Sequence, residues 1–450
     1  MKKRIYAICI AMLLGFTGCG NFFSEESGAD EIANESEPLY ISDEFPVQSG
    51  MPENGQQQNG QQNGQQQNEQ QENGQQQNGQ QNEQQQNEQG NRRLEDICLN
   101  LYNQAAKENQ LPALDTIRGI AQAFGENGYP AVDSANQIDM TESEQVVRFC
   151  EKVEAKESGE ITIIEIGYWG GFTAYDLRTK DGQVEVVRKR YKYENGEMQK
   201  GALESYPADY WSYTPEGYLM FSGICFPEDF YILTLGREER HTALRVEPLD
   251  ETCRALNRKF LLPIGYERNN MFLTDWGEDD FGNLDFYDMY DIFYPKMYGK
   301  PVPYAADDNL AVGAVYRIPQ DEFEGVIMTY FNIDSETLQS KTLFHPEDRT
   351  YEYRPRGFYE VEYPEYPYPE VTGYTENGDG TIALLVNVVF PFADDSRVYT
   401  HEVVVRPLED GGVQYVSNRI IPSEDNQEAT WYMPRLTQDA WQEVYGSGLS

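Results

Sequence analysis

The chain has 450 residues, with 76 acidic side chains against 35 basic ones and a net charge of −41 at pH 7. Such a charge repels nucleic acid and anionic lipid headgroups, and leaves cationic partners, divalent ions and neutral sugars as compatible ligands. Aromatic residues make up 13%, enough to supply both a core and platforms on which sugars could stack.

In chain order, Lys2, Lys3 and Arg4 form a basic start, Ile5 to Phe16 is apolar, and Phe16-Thr17-Gly18-Cys19 reads as a lipobox with Phe where Leu is usual. The apolar run is shorter than the roughly 20 residues a spanning helix needs. It suits a secretory h-region. The expectation is a lipoprotein signal peptide over 1–18, cleaved before Cys19. A diacylglyceryl group on that sulfur then anchors the chain to the outer face of a cell membrane, because stable anchoring takes two acyl chains. Residues 19–91 are acidic and Ser-rich, then almost purely Gln, Asn, Gly and Glu, without Lys or Arg before Arg92. With so little apolar surface to offset backbone entropy, this stretch is expected to be a disordered tether. As a flexible coil it would span roughly 45–50 Å.

From residue 92 the pattern becomes α+β. Leu94, Ile97, Cys98, Leu101 and Ala105 share one helical face. A second helix is expected from Asp115 as N-cap through Ile117, Ile120, Ala121 and Phe124, and a third carries Val146, Phe149, Cys150 and Val153. The period then changes to two. Strands are expected at Glu160–Ile166, Phe172–Leu177, Val184–Tyr193, Tyr206–Tyr213, Tyr218–Gly223 and Thr242–Glu247, with Lys180-Asp181-Gly182 and Glu194-Asn195-Gly196 as hairpin turns. Helices followed by a meander imply an antiparallel sheet and a first α+β domain over 92–248.

A second α+β domain is expected over 249–422. Asp250 caps a helix bearing Cys253, Leu256 and Phe260. Another helix starts at Pro319, with Phe323, Val326, Ile327, Tyr330 and Phe331 as its stripe. Tyr351 to Tyr374 reads as extended, and Thr381–Phe390, Val398–Arg406 and Val413–Ile421 as a closing meander. The tail, 423–450, is not assigned an element, but Trp431 and Trp441 imply that it packs.

Catalytic signatures are sparse. Cys98, Cys150, Cys225 and Cys253 have no C-x-x-C spacing. They read as buried thiols, although export permits disulfides and four thiols allow three pairings. His241, His345 and His401 do not make a zinc motif, and no esterase elbow, dinucleotide fingerprint or Walker A is present. The densest constellation is Asp275-Trp276-Gly277-Glu278-Asp279-Asp280 with Asp285, Asp288 and Asp291. It admits three readings: a solvated helical face, a calcium site, or an acid/base pair for sugar hydrolysis. Asp285, Asp288 and Asp291 share one face, opposite Phe286, Met289, Tyr290 and Phe293. The expectation is therefore a solvated acidic face over a core. Tyr168-Trp169-Gly170-Gly171 and the Tyr363–Tyr368 run are candidate sugar platforms. No catalytic, cofactor or metal residue is assigned; Cys19 is the one assigned site.

The segments Leu261–Trp276, Phe281–Tyr294, Asp307–Leu310, Phe323–Phe331, His401–Gly411 and Tyr415–Asn418 together resemble a family of clostridial lipoproteins that carry a domain of unknown function. The resemblance implies an exported lipoprotein of a Gram-positive anaerobe. It supplies no activity, ligand or catalytic residue. The expectation is a non-enzymatic binding or assembly module of the cell envelope. Its partners would be the membrane, through the anchor, and a glycan or protein of the envelope, with no nucleic acid. Oligomeric state is left open. The alternative is a carboxylate-dependent hydrolase of envelope glycan or peptide.

Overall fold

The computed structural model describes residues 93–225, 238–306, 312–360 and 365–446. The signal segment, Cys19, the expected tether, Tyr363 and Asp307–Leu310 lie outside them. The fold is α+β, as the periodicities predict.

Helix α1 spans Leu94–Lys107 and buries Cys98, Tyr102 and Ala105. Helix α2, Leu114–Glu126, buries Ile117, Ile120, Ala121 and Phe124. Ala113 holds its N-cap position, so Asp115 lies in the first turn and not at the cap. There its carboxylate still faces the positive end of the helix dipole. Helix α3, Ser143–Glu154, buries all four residues of its predicted stripe. These helices accompany a five-stranded sheet in the order β1-β2-β3-β4-β5. Its strands are Ala131–Asp133, Gly159–Gly167, Gly171–Lys180, Gln183–Glu194 and Glu197–Pro207. The sheet is an antiparallel meander except for β1, which runs parallel to β2. Tyr206 and Tyr210 belong to different strands, because the chain leaves β5 at Pro207 and starts β6 at Tyr210. Strands β6 (Tyr210–Tyr213), β7 (Tyr218–Cys225) and β8 (Glu238–Arg245) form a second, three-stranded sheet.

Asp250 caps α4, Glu251–Leu256, accepting from the backbone N–H groups of Thr252 and Cys253. The helix continues as a π-helical turn over Asn257–Leu261. After β9 (Trp276–Gly277) comes α5, Phe286–Tyr298, capped by Asp285 and ended by Gly299 at φ 64°. Glycine takes that left-handed conformation without a Cβ clash. Strand β10 (Tyr316–Pro319) leads into α6, Gln320–Tyr330, so Pro319 stands at the cap position and the helix begins one residue later. Helix α7 (Ser335–Ser340) and strands β11 (Phe344–His345) and β12 (Thr350–Tyr353) follow. The closing sheet has the order β13-β14-β15-β16-β9, with β13 at Tyr368–Glu376, β14 at Ile382–Val389, β15 at Thr400–Pro407 and β16 at Val413–Ile420. The tail forms α8, Gln438–Tyr445, and both Trp431 and Trp441 are buried.

Two cores result. One gathers Ile117, Phe124, Ile164, Phe172 and Phe221. The other gathers Phe286, Phe293, Phe323, Phe331, Val386 and Val403. Tyr218, Met220 and Ala243 meet Val389 in a smaller cluster between them. Polar pins cross here. Glu370 accepts from Arg245 and from Tyr218, each at 2.6 Å, and Asn136 donates to Tyr368 at 3.0 Å. Buried polar groups of this kind keep a free energy advantage only while paired, so they fix the register of one sheet on the other.

Candidate functional site

The acidic segment departs from its expected solvation. Asp288 has no exposed surface. Its carboxylate takes Arg356 at 3.0 Å on both oxygens, Arg435 Nε at 2.7 Å and the Tyr432 hydroxyl at 3.1 Å. Arg435 also reaches Asp291, which accepts from the Tyr353 hydroxyl at 2.6 Å as well. Arg435 Nη1 donates to the Arg354 carbonyl at 2.8 Å, and Arg356 Nη1 donates to the Met433 carbonyl at 2.6 Å. Asp285, Asp288 and Asp291, spaced three apart from the cap into the second turn of α5, are thus drawn inward by two guanidinium groups from distant segments. Uncompensated burial would cost several kcal/mol per ion, and the guanidinium forks offset it. Phe286, Met289, Tyr290 and Phe293 are buried, as expected. Both faces of α5 are therefore covered, one by the aromatic core and one by the tail.

The outward end of this network opens into a cleft of about 560 Å³. Its walls include Asn283, Asp285, Lys341, Glu352, Arg354 and Gln438, with Glu360, Arg435 and Trp441 also contributing. Asp285 sits at the N-terminus of α5 because its Oδ1 accepts the Tyr287 and Asp288 N–H groups at 2.9 and 3.2 Å. Burial, with the nearby Asp288 charge, pushes its carboxyl up to about 6. Glu352 behaves oppositely. Burial would raise it, but Arg354 and His345 donate to it and Arg317 adds charge, holding it below the ordinary carboxylate value. Arg354 lies 4.8 Å over the Trp441 ring. Lys341 donates to the Gly282 carbonyl at 2.9 Å. Glu360 accepts the backbone N–H groups of Gly357 and Leu436.

The other acidic residues do not converge on the cleft. Asp275 accepts from Ile420 N–H at 2.7 Å, Glu278 pairs with Arg406 through both oxygens, and Asp279 is exposed. The histidines are separate. His401 is fully buried between Tyr266 and Asn418, and burial lowers it to about 4. His241 meets Asp394 at 3.1 Å, and His345 meets Glu352 at 3.1 Å. Cys98, Cys150, Cys225 and Cys253 are free and buried. Burial pushes the thiols of Cys98 and Cys150 up to about 12, so neither is a thiolate nucleophile at neutral pH.

Among the described residues, Glu204, Cys225 and Glu238 group their donor atoms within 4.8 Å, a spacing that could hold a metal ion. Arg240 already bonds both carboxylates and Arg188 adds a contact to Glu204 at 3.0 Å, so the protein's own guanidinium groups supply the positive charge there.

The aromatic platforms are corrected too. Tyr168 donates to the buried carboxylate of Asp133 at 3.0 Å. The Trp169 indole lies across Gly167 and Gly171, where any Cβ would fall 2.0 Å from the ring, and Arg190 stacks on it at 4.3 Å. Tyr366 and Tyr368 are partly buried against the cores. Among the described residues the most exposed aromatics are Phe358 (60%) and Tyr359 (46%), in a 3-10 turn whose third residue is Glu360 of the cleft; Tyr298, Tyr374 and Phe392 are exposed as well. The Tyr359 ring meets that of Tyr445 at 5.4 Å. Sequence reasoning missed this group because the turn carries no periodic signal.

Residues 83–435 match a family of unknown function, DUF6070. The match covers well over half of the 450 residues, and the chain belongs to that family. No curated protein and no solved structure matches it.

Proposed function

We propose that this chain is a lipid-anchored binding module of a cell envelope, presenting the cleft between α5, β12 and α8 to an envelope ligand. The basic start, apolar run and Cys19 support export and anchoring, and the segment 19–91 would then be the spacer. The resemblance noted above adds a Gram-positive anaerobe as the setting. The observation that carries the binding reading is the internal pairing of the cleft's charges. Glu352 and Glu360 are occupied by protein donors, as are Asp288 and Asp291 behind them. A hydrolase of the two-carboxylate kind needs both groups free to face the scissile bond.

A carboxylate-dependent hydrolase of envelope glycan or peptide is the second reading. What favours it is that Asp285 and Glu352 line one cleft with their acidities shifted in opposite directions, Asp285 raised and Glu352 lowered, as acid and base roles require. Two measurements test the pair. Metabolic palmitate labelling and membrane fractionation of Cys19→Ala should show loss of label and release of processed protein; unchanged partitioning removes the anchor. Incubation of the purified full chain with isolated envelope should release no soluble fragments. Release that disappears in Asp285→Asn would replace the binding reading by the hydrolase.

A further inference from the structure

We infer that the cleft takes a neutral, hydroxyl-rich ligand, a glycan chain without charged groups, with its apolar sugar face against Phe358 and Tyr359. This rests on the binding reading above and specifies its ligand. The first ground is which polar groups remain uncommitted. Each cation of the cleft is held: Arg354 by Glu352, Arg435 by Asp288 and Asp291, Lys341 by the Gly282 carbonyl with Asp280 at 3.5 Å. No lone positive charge is left there to draw an anion. Among the described residues, the side-chain amides of Asn283 and Gln438 and the Oδ2 atom of Asp285 line the same cleft without a hydrogen-bond partner. Each amide offers both a donor and an acceptor, and a hydroxyl needs both.

The second ground is independent of the first. Phe358 and Tyr359 are large and exposed; they do not line the cleft themselves, but Glu360 of the same turn does, and Tyr359 meets Tyr445, which packs on the cleft residue Trp441 at 5.3 Å. The edge-to-face contact between Phe358 and Tyr359, at 5.4 Å and 89°, and that of Tyr359 with Tyr445 position the rings while leaving them exposed. Exposed rings flanking a cleft that carries uncommitted amides suit an extended ligand with apolar C–H faces and polar edges, and a pyranose chain has both. The net charge of −41 acts in the same direction, since an anionic polysaccharide would be repelled on approach.

The test is calorimetric titration of the full chain with four probes: chitotetraose, cellotetraose, a tetragalacturonate and tetraglycine. Binding by at least one of the neutral tetrasaccharides, at least tenfold tighter than the tetragalacturonate and tetraglycine, is expected. Asn283→Ala with Gln438→Ala, and separately Phe358→Ala with Tyr359→Ala, should each weaken it at least tenfold. Circular dichroism of both variants should match the wild type, since these side chains are exposed. Equal or tighter binding of the anionic or peptide probe overturns the ligand class while leaving a binding module. Failure of both neutral sugars to bind overturns the inference, as does sugar binding that neither variant weakens.

Discussion

Asp288 and Arg435 meet at 2.7 Å with the carboxylate wholly out of water, joining the first turn of α5 to a tail residue 147 positions later. The pair, with Arg356, makes the tail part of the fold. Asp288→Asn leaves two buried guanidinium groups facing a neutral amide. It should destabilise the protein by about 3–5 kcal/mol, the range for breaking one partner of a buried pair. Urea unfolding of the two proteins measures it. A loss under about 0.5 kcal/mol, the figure for a surface change, would mean that the carboxylate is solvated after all.

Phe286 tests the opposite face of the same helix. It is 1% exposed and packs on Phe281 and Phe331 at 5.5 and 5.9 Å. Phe286→Ala should cost about 3–5 kcal/mol by emptying a core aromatic site. Thermal unfolding decides it, and an unchanged midpoint would contradict the packing.

Asp285 gives a pH signature. Its carboxyl ionises near 6 in the folded chain, against 3.8 as the ordinary value. Between those values the folded state holds more protons than the unfolded one, so stability falls as pH rises through the window. The loss is about 3 kcal/mol at most, from roughly 1.4 kcal/mol per pH unit. Partial exposure of the side chain reduces it. Asp285→Asn keeps the helix cap, because Asn caps as well as Asp. The variant should lack this component: its stability, relative to wild type, should rise from pH 4 to pH 6. Parallel curves would refute the shift.

The cysteines predict silence. Cys98, Cys150, Cys225 and Cys253 are buried, and burial raises each thiol. Alkylation at neutral pH followed by mass mapping should leave all four unmodified in the native protein and modify all four in guanidinium. Rapid native labelling of any of them would contradict its placement.

Much of the fold could be read from the chain because the signals were local. The α3 stripe, the Asp250 cap and the closing strands each depend on residues within one element. Strand β5 was largely missed because its sequence, Glu197–Pro207, mixes charged residues with few apolar ones and gains its pairing from β4. The site was less legible. Asp285, Asp288 and Asp291 do lie on one face, and a helix considered alone would place that face in water. Their partners, Arg356 and Arg435, come from segments without periodicity, and sequence spacing carries no sign of which charges will meet. The aromatic turn at Phe358 was hidden for the same reason, whereas helix α8 did carry a signal, a Thr437 cap with Trp441 and Tyr445 four residues apart on its buried side.

The central claim is that the cleft beside α5 is where this family member holds its envelope ligand. Co-sedimentation of the purified full chain with isolated envelope tests it most directly, comparing wild type with the Asn283→Ala, Gln438→Ala double variant in detergent that dissolves the membrane. The wild type should pellet with the envelope, and the variant should remain at least tenfold more in the supernatant while keeping its unfolding midpoint. Equal pelleting of the two proteins, or none by the wild type, would contradict the account.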